Sequence, residues 1–125
     1  QKVSLSINDI YTVNSRPPEV MAAPGDSKIL IPVLIVAEKE PGDPFTSNDI
    51  VLKYEHGSDN LITLSGTGFL DQTTQKVVFC SYYNSIEGIV NEKLQLYAIK
   101  DPSNSGGSPI NIWVFYREID LTEWK

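Results

Sequence analysis

Cysteine is almost absent: Cys80 stands alone among 125 residues, so no intrachain disulfide framework can staple the fold. It lies in the apolar run "KVVFCSYY" (76–83), where a thiol reads as a small core residue rather than a nucleophile. Histidine is equally scarce. Ser–His–Asp or Cys–His catalysis would have to use His56, which sits just before a Gly turn and reads as a solvated loop residue. No nucleophile elbow accompanies it, and one His with one Cys argues against zinc. Positive charge is thin. Ten basic residues are scattered singly from Lys2 to Lys125 against sixteen acidic ones, for a net charge of −6. Without a basic stripe a nucleic-acid partner is not expected. No apolar run reaches the ~18 to 20 residues of a membrane helix, so no membrane insertion is expected. The polar N-terminus "QKVSLSINDI" has no signal-peptide pattern, and it begins on Gln rather than Met, as a fragment or a processed form does. No N-x-Ser/Thr glycosylation acceptor occurs.

What remains is ample for one globular domain. Hydrophobic residues make up 41% and charged residues 21%. A chain of this length buries roughly two-thirds of its unfolded surface. We expect a single domain over 1–125, with 1–16 as a peripheral N-terminal strand.

Helical periodicity is weak, whereas short runs rich in Val, Ile, Tyr, Phe and Trp recur between Gly/Pro/Asn/Asp/Ser clusters. Strands are expected in 3–13, 19–23, 28–38, 49–56, 61–66, 76–83, 92–100 and 110–121. "APGDS" (23–27) should form a tight turn with Pro24 and Gly25 at its centre, and "FLDQTTQ" (69–75) could hold one helical turn. Loops are expected at 39–49 and 101–109, the second joining the last two strands as a hairpin. Seven or eight strands with little helix predict an all-β antiparallel sandwich of jelly-roll type.

Two strands are apolar on both faces. In "KILIPVLIVAE" strict alternation puts Ile29, Ile31, Val33, Ile35 and Ala37 on one face and Leu30, Pro32, Leu34 and Val36 on the other. In "INIWVFYREIDL" Trp113 and Phe115 alternate against Ile110, Ile112 and Val114. Only one face of a sandwich sheet lies on the core. If both strands share a sheet, its outer face is apolar and aromatic, and a subunit contact through Ile31, Val33, Ile35, Trp113, Phe115 and Arg117 would cover it. Loops or the N-terminal segment folding back would cover it within one chain. A break at Pro32, with one half of the strand in each sheet, would do the same.

Chemistry is sparse. "GTG" (66–68) lacks the third Gly and the helix of a dinucleotide loop. Glu38, Glu40, Asp43 and Asp49 gather around one loop without EF-hand spacing, which is weak support for calcium. No long insertion suggests a glycosidase cleft. No cofactor or metal is expected.

The stretches "MAAPGDSKILIPVLIVAE", "DIVLKYEHG", "SGTGFLDQTTQKVVF" and "NEKLQLYAIKDPSNSGGSPINIWVFYREIDL" resemble small β-rich virion proteins of tailed bacteriophages across 17–121. The resemblance implies a jelly-roll-like domain on the phage particle, in a head fibre, capsid decoration or tail component, and a trimer. The expectation is therefore a non-enzymatic virion protein that assembles with itself and other virion proteins, with Asp43, Phe45, Asn104 and Ser105 on outward binding loops. The alternative is a module for a host-surface glycan, with Tyr82, Tyr83 and Trp124 as stacking residues.

Overall fold

The computed structural model describes residues 1–81, 87–103 and 106–123. The elements run β1 (Lys2–Leu5), α1 (Ile7–Tyr11), β2 (Glu19–Met21), β3 (Lys28–Lys39), β4 (Ile50–Tyr54), β5 (Ile62–Leu64), β6 (Lys76–Ser81), β7 (Leu94–Tyr97) and β8 (Ile110–Asp120), then a 3-10 turn at Leu121–Glu123. They form two four-stranded antiparallel sheets, ordered β1-β8-β3-β6 and β2-β7-β4-β5. In the pairs β1·β8, β2·β7, β3·β6 and β4·β5 the strand numbers always add to nine. The chain is one long hairpin, doubled back between β4 and β5 and rolled up, which makes a jelly-roll sandwich.

The inner faces meet in a single core. Ile110, Ile112 and Val114 of β8 pack with Leu30, Ile35 and Ala37 of β3 against Ile50, Leu52 and Tyr54 of β4 and Leu94 and Leu96 of β7. Each large apolar side chain buried here contributes about 1.5–3 kcal/mol relative to exposure. The Tyr54 hydroxyl donates to the Leu30 carbonyl, tying one sheet to the other. Among the described residues no buried side-chain nitrogen or oxygen lacks a partner.

Several expected elements differ. The first strand stops at Leu5, because Ser6 and Asp9 form a capping box and start a helix. The Ser6 hydroxyl accepts the Asp9 N–H at 3.2 Å, and the Asp9 carboxylate accepts the Ser6 N–H at 2.9 Å. That helix drops Ile10 into the core. The last two strands form no hairpin: β7 and β8 lie in opposite sheets. Between them, Asp101 and Ser103 are held by Asn14 N–H on the Asp101 carboxylate (2.7 Å) and Ser103 N–H on the Thr46 carbonyl (3.0 Å). Residues 69–75 make turns rather than a helix. The hydrogen-bonded turn before β3 is Gly25–Lys28, two residues later than expected, with Gly25 at φ 116° and Ser27 at 62°.

β3 is unbroken and stays in one sheet, but it carries a bulge. Pro32 lies opposite Tyr116 and Leu34 opposite Phe115, so Val33 is an extra residue. Before the bulge Leu30 and Pro32 point inward; after it Ile35, Ala37 and Lys39 do. One inserted residue exchanges the two faces. Ile35, expected on the outer face, is fully buried. Proline lacks the N–H a ladder needs, and among the described residues the first half of β3 pairs only with β8.

Phe45, expected on an outward loop, is also buried. Buried Lys39 organises its surroundings: the ammonium donates to the Asp43 carbonyl (3.2 Å) and the Ser108 hydroxyl (2.7 Å) and lies 5.8 Å from the Phe45 ring. Burial holds the Lys39 ammonium below the usual lysine pKa, and the Asp43 charge partly offsets this. Asp43 itself is exposed, while Asn104 and Ser105 lie outside the described residues.

A candidate interaction face on the first sheet

The register aligns outward side chains into rows. Lys2 of β1 lies opposite Trp113 of β8, Trp113 opposite Val36 of β3, and Val36 opposite Phe79 of β6. The next row on one side holds Leu34 with Phe115; on the other, Glu38 lies between Asn111 and Val77. The result is an aromatic and aliphatic face with Phe79 69% exposed, Val77 56% and Phe115 51%. Val36, Glu38, Val77, Trp113 and Phe115 line a shallow groove of about 330 Å³ on it. Ile31 and Val33 extend the face around the bulge at 39% and 45% exposure.

Polar groups border it. The Lys2 ammonium sits 5.2 Å from the Trp113 ring. The Asn111 amide donates to Glu38 (2.9 Å) and Glu40 (3.0 Å), bridging two carboxylates. Hydrogen bonds from Gln75 and then Asn111 hold the Glu38 carboxyl below its ordinary value, so it stays charged near neutrality. Exposed Arg117, paired in register with Ile31, lies toward the opposite end and has no ion-pair partner among the described residues.

Of the expected interface residues, Ile31, Val33, Trp113, Phe115 and Arg117 lie on this face, and Ile35 does not. Val77, Phe79, Leu34 and Val36 were missed. For Val77 and Phe79 a signal existed, since "KVVFCS" is apolar at consecutive positions and therefore on both faces. Among the described residues, intrachain cover is seen at the start of β3. There the Asn91 N–H bonds to the Lys28 carbonyl (2.7 Å), and Gly88 approaches Ile29 closely. Tyr82, Tyr83 and Trp124 lie outside the described residues.

The other candidate groups have structural partners. Cys80 packs against the core from β6. Gly66 of "GTG" lies against the Ser47 carbonyl, where a Cβ would collide, and its N–H donates to Asp49 (2.8 Å). No three of Glu38, Glu40, Asp43 and Asp49 bring carboxylate oxygens within 4.8 Å of one another. Only Glu55, His56 and Glu92 form such a set among the described residues. There the Glu92 carboxylate accepts the His56 backbone N–H (2.7 Å) and faces its Nδ1 at 2.9 Å, while Lys93 pairs with Glu55 at 3.5 Å.

This clasp should make stability depend on pH. Hydrogen bonding to Glu92, then the Glu92 and Glu55 charges, raise the His56 pKa above 6.5. For Glu92, burial acts upward but is outweighed by the His56 ring and N–H and by Lys93, so its carboxyl falls below 4.5. The histidine contribution is complete below 6.5 and is lost as pH rises through the raised value; the glutamate contribution is complete above 4.5 and is lost as pH falls through the lowered value. Thermal melts of wild type and His56→Gln should therefore differ at about pH 5.5 and converge by about pH 9. An unchanged difference at the higher pH would remove the ion pair from the account.

Comparison with protein-family models, with curated proteins and with solved structures finds no match for this chain.

Proposed function

We propose that this chain is a non-enzymatic structural protein that assembles with copies of itself through the outer face of the first sheet. The observation that carries the reading is the row Trp113–Val36–Phe79, with Phe115 beside it: aromatic and aliphatic side chains side by side on three strands, Phe79 and Phe115 exposed and Trp113 and Val36 half-buried. Buried aromatics with arginine nearby are what interface centres are made of. Glu38 toward one end and Arg117 toward the other offer both signs to a second copy. β6 adds an unpaired edge among the described residues, and an exposed apolar edge strand is a surface that proteins keep covered.

The non-enzymatic part rests on His56 being engaged by Glu92 and Cys80 lying against the core. The resemblance over 17–121 supports a phage particle as the setting, as capsid decoration, head fibre or tail component in contact with other virion proteins, and supports a trimer. Light scattering at micromolar concentration tests this. Three times the chain mass is expected. A monomer would overturn the assembly, and a dimer would overturn the trimer alone.

A further inference from the structure

The second sheet has a different outer face. A concavity of about 830 Å³ lies over β7, β4 and β5 and is walled by the loops at 47–49 and 65–67. That size is within the range of small-ligand sites. Register places Tyr97, Val51 and Thr63 side by side across its floor, with Lys53 next along β4. The Lys53 ammonium lies 5.2 Å from the Tyr97 ring and has no carboxylate partner among the described residues. Asn48 and Asn60 line the concavity with exposed side-chain amides that hydrogen-bond to none of the described residues. Asp49 engages the Gly66 N–H through Oδ1.

The chemistry of this lining is narrow in kind. Planar amides and a carboxylate each offer two hydrogen-bonding atoms side by side, which match neighbouring hydroxyls on one ligand. A tyrosine supplies a flat apolar surface with a polar tip. An ammonium supplies three rotatable donors. Rings that carry hydroxyls on their edges and C–H groups on their faces answer all three. We infer that this basin binds an oligosaccharide, with Tyr97 as the flat contact, Asn48, Asn60 and Asp49 addressing hydroxyls, and Lys53 donating to a hydroxyl or a sugar carboxylate. The face is separate from the apolar one, so the chain can carry ligand on one sheet and assemble through the other.

The test uses the full chain on a printed array of neutral and carboxylate-bearing di- to tetrasaccharides, followed by calorimetry with the strongest binder. Tyr97→Ala and Asn60→Ala should each weaken per-site affinity about tenfold, a change of about 1.4 kcal/mol. Asn60 is exposed, so its variant keeps the inference testable even if Tyr97→Ala folds poorly. Phe79→Glu on the first sheet should leave per-site affinity unchanged, which separates this site from the assembly. No bound saccharide, or binding that both basin variants retain in full, would overturn the inference.

Discussion

Phe79→Glu is expected to leave the chain folded and monomeric. Phe79 is the most exposed aromatic on the first sheet, so its loss removes nothing from the core. Surface substitutions of this kind usually change stability by no more than about 0.5 kcal/mol. In the assembly the same ring would be covered, and covering it contributes about 1.5–3 kcal/mol per copy. A carboxylate enclosed in its place, without a partner, adds a penalty of several kcal/mol. Summed over the copies, these are comparable to the about 8 kcal/mol that holds a micromolar association. Sedimentation velocity should show only the slow species, whereas Ala22→Glu, at an exposed position after β2, should sediment as wild type. A Phe79→Glu protein that still assembles would move the contact away from this sheet.

Gly107→Ala should produce the largest loss of stability, about 3–4 kcal/mol, from two independent causes. Gly107 adopts φ +126°, where an L-residue is strained. A Cβ there would also strike the buried Phe45 ring, with Cζ 2.7 Å away. The ring cannot retreat easily, because Tyr11 packs on it edge-on at 5.9 Å and Lys39 lies nearby. Gly68→Ala separates the causes. Gly68 has φ +97° with nothing within 4 Å of the added carbon, so it should show strain alone, about 1–2 kcal/mol. Urea denaturation of both variants reads the difference. Equal losses would mean that crowding at Phe45 is relieved by repacking.

Phe45 and Gly107 lie far apart in sequence, and local composition does not determine where such residues meet. Phe45 sits in a loop (39–49) with two prolines, a glycine and three acids, and by composition it belongs outside. It is buried because Gly107, far away in sequence, leaves a space for its ring. Ile35 fails for a different reason. Alternation is a reliable guide along a regular strand, but Val33 is an extra residue and exchanges the faces beyond it. Pro32 marked the place of an irregularity, expected as a break between the sheets, but the strand stays in one sheet and only its parity changes. The helix at Ile7–Tyr11 was written in Ser6 and Asp9, yet five residues of alternating character concealed it.

That strands alternate with turns, that helix is scarce, and that β3 and β8 are apolar on both faces follow from neighbouring residues alone, because turn chemistry and side-chain period act over a few positions. Which strands pair does not. Eight strands could meet their sequence neighbours in a simple meander as easily as roll up, and only the shared burial of distant residues such as Leu30, Tyr54 and Val114 selects the pairs that close this sandwich. The face that holds Trp113, Val36 and Phe79 is a product of that closure. Its residues come from three separate stretches of chain, and they became neighbours only when β3 took its place between β8 and β6.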